Sequence, residues 1–219
     1  MRIKTSTQTR CSRNVPELRA RDFVERIDSS KYSWIHMEAR KNASELVQMI
    51  GEARAATAPA DDSSRGDKRL AISVEIEKPT KSREVVLQED VDYFFFSKDF
   101  ARWKGASHPD SCMQVLSQVI PKSRSSPVVL ICAWAQEGAR AALIESGGIT
   151  RHFSSPSFPP RHGVLDTTGA GDSFIAATVF ALQVMQLDVG EAIRFGCRFA
   201  GAKCGTHGNQ GLEDFEQFL

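Results

Sequence analysis

The stretch that decides the reading of this chain is Asp166-Thr167-Thr168-Gly169-Ala170-Gly171-Asp172-Ser173-Phe174, which runs from a polar loop into an apolar helical segment. Gly169 and Gly171 allow backbone angles closed to other residues and leave no side chain between the amides and a ligand. The first turn of the helix that follows has N–H groups without intrahelical partners, and its dipole favours negative charge. A phosphate oxygen suits that place, with Asp172 beside it as a proton acceptor. The run therefore points to phosphoryl transfer. On the glycines alone, a plain strand-to-helix turn is the competing interpretation.

Two commoner phosphate loops are excluded. The chain has no Gly-x-x-x-x-Gly-Lys-Ser/Thr run, and Phe174 stands where a dinucleotide fingerprint would place its third glycine. With 219 residues, 41% of them hydrophobic, there is enough apolar material for one substantial core. A formal net charge of +1 gives no reason to expect nucleic acid or an acidic membrane surface as a partner. Apolar runs such as Val128 to Trp134 are far too short to span a bilayer. The cysteines Cys11, Cys112, Cys132, Cys197 and Cys204 are odd in number and scattered, which suits free thiols in a reducing cytoplasm rather than disulfides or zinc.

Working outward, Trp34 to Glu38, Leu70 to Ile76, Tyr93 to Ser97 and Val128 to Ala133 are continuous apolar runs between polar turns. Continuity rather than alternation predicts strands covered on both faces of a parallel sheet. Helical stretches near Ala43 to Ala56 and Asp110 to Ile120 separate them, so the expected architecture is α/β, a doubly wound three-layer sheet. Ala141 to Ile144 and Ile149 to Phe153, split by Ser146-Gly147-Gly148, predict a hairpin at one end of that sheet. After the signature, Phe174 to Met185 is apolar nearly all round and predicts a central buried helix. Val189 to Cys204 follows, with Ala192, Gly196, Ala200 and Cys204 in a row of small side chains that lets the two helices approach closely. Cys197 and Cys204 read as small core residues, with one of them available to a nucleotide pocket. Residues 57–69 and 121–127 form polar connections, and nothing separates two domains. The basic, Ser/Thr-rich start reads as a poorly ordered leader over residues 1–12, a mitochondrial address being the other interpretation.

The complete run Asp-Thr-x-Gly-Ala-Gly-Asp followed by Phe resembles the C-terminal signature of the ribokinase-like (PfkB) family of sugar and nucleoside kinases. Further blocks are similar to the ketohexokinase branch of that family. They include Trp34-Ile35-His36-Met37-Glu38, Asn42-Ala43-Ser44-Glu45, Ser73 to Pro79, Ser97-Lys98-Asp99, Cys132 to Ala139, Phe158-Pro159-Pro160, Arg194-Phe195-Gly196-Cys197 and Ala200 to Gly205. They stand in the family's order from about Arg13 to the C-terminus, so residues 13–219 are expected to be one kinase domain. The match corresponds to the C-terminal two thirds of such a kinase. The N-terminal strands, the sugar-binding aspartate and the small β lid that mediates the family's homodimer contact have no counterpart in the residues given.

The resemblance implies ATP and Mg²⁺ as cofactors and fructose as the small-molecule partner, phosphorylated at its C1 hydroxyl. The alternatives are a nucleotide-binding chain without turnover, or a sibling sugar or nucleoside kinase. It also implies roles. The amides of Gly169, Ala170, Gly171 and Asp172 form the anion hole, and Asp172 accepts the proton of the attacking hydroxyl; its place at a helix start favours the ionised form. Ala135, Gln136, Glu137 and Gly138 contact the phosphates and ribose, Phe158 and Pro159 wall the adenine, and Cys197 lies near it. Arg13 is the matching phosphate-contacting arginine. Glu75 and Glu77 project to the same face of a strand and could orient hydrated metal or simply be solvated; no residue is assigned as a metal ligand.

Overall fold

A computed structural model describes residues 17–28, 31–57, 69–145 and 148–208. Arg13, the leader and most of the 57–69 connection lie outside these residues. Among the described residues six strands form a single sheet in sequence order: β1 (Trp34–Glu38), β2 (Ala71–Ile76), β3 (Tyr93–Ser97), β4 (Val128–Ala133), β5 (Ala139–Glu145) and β6 (Gly148–Ser155). The first four are parallel; β5 pairs antiparallel with β4 and β6 antiparallel with β5, so the expected hairpin extends the same sheet as its far edge.

One face of the sheet is covered by α2 (Ala43–Ala56), α3 (Lys98–Trp103) and α4 (Pro109–Ser117), with α1 (Ala20–Arg26) packed on α2 and a 3-10 turn at Lys81–Gln88 completing the layer. Leu46 and Ile50 of α2, Phe100 of α3 and Leu116 of α4 are buried there against Val74, Phe94, Phe96 and Leu130. The opposite face carries α5 (Ala170–Gln183) and α6 (Val189–Cys204), with Phe174, Ile175, Ile193 and Cys197 against Phe95 and Ile131. Inner strands that send alternate residues into two apolar layers must be apolar throughout, which is why β3 and β4 read as unbroken runs.

The small-residue row on α6 acts where expected. A Cβ on Gly196 would collide with the Thr178 hydroxyl and press on the Phe174 ring, so α5 and α6 meet there backbone to side chain. Two helical expectations need correction. The signature residues themselves form the first turn of α5, four positions before Phe174. Nor is α5 buried all round: Ala176 is exposed and Val184 is 64% exposed. Ile175, Ala176, Val179, Phe180 and Val184 instead line an open apolar groove that also contains His36 and Asp172. The groove follows from position, since β1 is the last strand on that side and no strand or helix among the described residues lies beyond it.

Candidate active site

The carboxyl ends of β1 to β4 converge on one cleft of about 770 Å³. Each strand delivers residues to it: Glu38 and Arg40 at the end of β1, Glu75 and Glu77 around the end of β2, Ser97 and Lys98 at the end of β3, Ala135 and Gln136 after β4. Parallel strands point all their carboxyl ends one way, so ligands of such sheets gather there. From the other side α5 contributes Gly169, Ala170, Gly171 and Asp172, α6 contributes Cys197, Gly201 and Cys204, and the loop after β6 contributes Phe158, Pro159 and Pro160.

The entry to α5 presents backbone N–H groups to the cleft. Gly169 is its N-cap in the left-handed conformation, φ 77°, which turns the chain sharply into the helix. Ala170 N–H donates back to Thr167 O at 3.2 Å, closing that turn. The anion-hole expectation is thereby narrowed: among the described residues the N–H groups of Gly169, Gly171 and Asp172 have no backbone acceptor, while that of Ala170 is engaged. Asp172 is exposed in the first turn, facing the cleft.

The wall formed by Phe158 and Pro159 is fixed from three sides. A Cβ on Gly201 would collide with Phe158 O, and one on Gly138 with Ser155 O, so only glycines allow these backbones to touch. Ser157 Oγ donates to Gln136 O at 2.7 Å, joining the wall to the turn after β4. The Arg194 and Arg198 guanidinium carbons lie 5.5 and 5.4 Å from the Phe158 ring centroid, a stacking that holds the aromatic side chain against α6.

One predicted contact is not placed in the cleft. Glu137 is exposed and lines a separate surface hollow with Arg140 and Ser154. Ala135 to Glu137 form a single 3-10 turn, in which successive side chains diverge by about a third of a revolution; Gln136 enters the cleft and Glu137 leaves it. Arg13 falls outside the described residues. Ala135, Gln136, Gly138, Phe158, Pro159, Cys197 and Gly169 to Asp172 all border the same cavity.

The electrostatics are uneven. Glu38 and Glu75 are directly paired across β1 and β2, with Glu77 one step further on the same face. Burial first, then Glu38, Glu77 and Asp172, push the Glu75 carboxyl up to about 7, with Arg40 opposing. Arg40 Nε is itself held by Glu38 Oε2 at 2.7 Å. His36 Nδ1 lies 2.8 Å from Ser73 Oγ, and its pKa is lowered by loss of water around the ring, against the pull of Glu38 and Asp172. Burial likewise raises the Cys197 thiol. Glu38, Arg40 and Lys98 join the site although the sequence assigns them no role there; a usable signal is their position at or just after the ends of predicted strands.

This arrangement, a doubly covered sheet with a glycine-opened helix start facing an aromatic wall across the strand ends, is that of a ribokinase-like carbohydrate kinase. The chain belongs to the pfkB family of carbohydrate kinases, which it matches over residues 76–214. It is 39% identical to mouse ketohexokinase over 203 residues, 91% of this chain and 61% of that protein. The chain thus spans less than two thirds of that relative's length. Among solved structures, Arabidopsis thaliana ribokinase complexed with ribose and ATP superposes with TM-score 0.66 at 17% identity, covering 93% of this chain and 59% of that one. The adenosine kinase of Sinorhizobium meliloti gives 0.65 at 15% identity, covering 92% and 57%. At these identities the structures speak for the fold.

Proposed function

We propose that the chain binds ATP in the cleft and transfers its γ-phosphoryl group to the C1 hydroxyl of fructose, with residues 13–219 acting as one kinase domain in the cytoplasm. The observation that carries this reading is the meeting, in one cavity, of the α5 helix start, Asp172 and the Phe158–Pro159 wall. The unpaired amides of Gly169, Gly171 and Asp172 receive the transferred group's oxygens and oppose the charge that develops on them. Asp172 takes the proton of the attacking hydroxyl as the oxygen–phosphorus bond forms and the bond to the ADP oxygen breaks. Phe158 and Pro159 hold the base, Ala135, Gln136 and Gly138 border the ribose and phosphates, and Cys197 closes the pocket floor.

Among the described residues no three His, Cys, Asp or Glu side chains converge as a metal cage. A magnesium ion would enter with the nucleotide phosphates and its own waters, and Glu75 and Glu77, which border the cleft, would face its hydration shell. When bound, the ion neutralises phosphate charge; the protein's part is to hold the carboxylates that face it.

A second reading, nucleotide binding without turnover, is favoured by the open apolar groove beside Asp172. Alignment of the acceptor hydroxyl contributes a large part of such catalysis, and an open flank lets water compete. Fructose-dependent ADP release by the purified chain separates the two. Turnover supports the transferase; release of ADP at the rate seen without fructose, together with a thermal shift by a non-hydrolysable ATP analogue, leaves the binding protein. No shift at millimolar analogue sinks both. Ribose and adenosine in place of fructose test the sibling specificities.

A further inference from the structure

The loop that precedes the anion site has little packing of its own: Val164 and Leu165 are 60% and 55% exposed. Something else must fix it, and a buried cation does. Lys203, in the last turn of α6, is 1% exposed, and its Nζ donates to both the Asp166 carbonyl oxygen and Asp166 Oδ2, each at 3.0 Å. Asp166 Oδ1 accepts Thr168 N–H at 2.9 Å, and Oδ2 also accepts Gly208 N–H at 3.4 Å. The N–H groups of Leu165 and Asp166 both reach Cys204 O, at 2.8 and 3.3 Å. Asp166 is therefore tied on one side to the C-terminal end of α6 and on the other to the residue just before Gly169.

A buried ammonium is costly unless paired, and an apolar side chain would fill the same space on α6 without that cost. The charge here is matched by a carboxylate whose remaining lone pairs are taken by backbone N–H groups, the condition under which a buried pair specifies one geometry. The carboxyl is held well below the usual carboxylate range, by the Thr168 N–H first and by Lys203 next. The left-handed Gly169 follows directly, so a loop free to move at Asp166 would lose the aim of the amides at Gly169, Gly171 and Asp172.

We propose that Lys203, acting through Asp166, is a positioning residue for the phosphate-binding amides: it touches neither nucleotide nor sugar but holds the 166–169 loop in the conformation that receives phosphate. This rests on the reading that phosphate docks at the start of α5, and the test keeps the two apart. Lys203→Met keeps length and apolar bulk while removing the charge; Lys203→Arg keeps the charge. Calorimetric titration of each purified chain with inorganic tripolyphosphate, an ATP analogue and adenosine reads the phosphate and base contributions separately. Lys203→Met is expected to weaken tripolyphosphate and the ATP analogue by ~10-fold or more, with adenosine unchanged and Lys203→Arg recovering most of the loss. Hydrogen exchange in the ligand-free chain should rise over residues 165–172 and stay unchanged in β3 and β4. Retained tripolyphosphate affinity in a folded Lys203→Met chain overturns the proposal, as does equal weakening of adenosine, which marks a merely structural role. A wild-type chain that binds no tripolyphosphate overturns the phosphate reading and the positioning role with it. Should Lys203→Met not fold, Asp166→Asn carries the same comparison with the same outcomes.

Discussion

Replacing Glu75 by glutamine should stabilise the protein in a strongly pH-dependent way. Glu75 lies at the end of β2 with Glu38 directly opposite on β1 and the Phe95 ring on the β3 side. Both neighbours disfavour a negative charge, one by repulsion and the other by excluding water. Its carboxyl is pushed from 4.5 to about 7 in the folded chain. The unfolded chain sheds this proton near pH 4.5 while the folded chain keeps it to about pH 7. Over that window the folded state binds more protons, so stability falls as pH rises and levels off above it. The full displacement corresponds to ~3 kcal/mol, and partial access of the cleft to water reduces the expected effect to ~1–3 kcal/mol. A glutamine amide is neutral throughout, so Glu75→Gln should gain that amount near pH 8 and nothing near pH 4. Urea unfolding followed by tryptophan fluorescence at several pH values measures both ends, with the m-value checking that the transition remains comparable. A gain that is the same at every pH, or a loss at pH 8, would show that folding does not raise the Glu75 carboxyl and would refute the crowding argument.

Further outcomes follow from the same geometry. Asp172→Asn should lower fructose-dependent turnover by ~10²–10⁴ with little change in affinity for an ATP analogue; near-normal turnover would remove Asp172 from the role of base. Gly201→Ala should displace the Phe158 carbonyl and cost ~1–3 kcal/mol on thermal unfolding, with weakened adenosine binding by titration; an unchanged Tm would mean that the wall is not fixed by α6. Gly196→Val should be worse, because the added methyl groups enter between Thr178 and Phe174, and soluble, cooperatively unfolding protein at wild-type Tm would contradict the close α5–α6 approach.

What the sequence discloses, and what it hides, divides along physical lines. β3 and β4 are legible because a strand buried on both faces has no choice but to be apolar throughout, and α6 because its small residues recur every four positions. α1 and α3 are not, since helices of seven and six residues carry too few turns for a period to stand out. The signature reads correctly as a helix start, yet the sequence places the helix too late, because glycines are poor helix formers and Gly169 and Gly171 obscure the first turn. Glu137 shows the limit of reading a site as a contiguous block: neighbouring residues in a 3-10 turn face different directions, which no spacing rule applied to the whole segment reveals.

The groove on α5 is the most instructive discrepancy. A helix apolar all round is a statement about what must surround it, and the sheet among the described residues ends at β1, leaving that flank open. Apolar side chains such as Val179, Phe180 and Val184 beside the Asp172 carboxylate are an unusual lining for water, since apolar surface left exposed there weakens stability. Along this flank the apolar residues of α5 are open, while its first turn, Gly169 to Asp172, borders the cleft. Under the proposed function, nucleotide binding and hydroxyl alignment are separable: the first would draw on Gly169 to Asp172, Phe158 and the Lys203–Asp166 tie, the second on the flank that His36 and Phe180 border. A chain that binds ATP analogues tightly and turns over fructose slowly is the outcome this division predicts, and comparable completeness in both functions would show that the groove, as it stands, already suffices to hold the sugar.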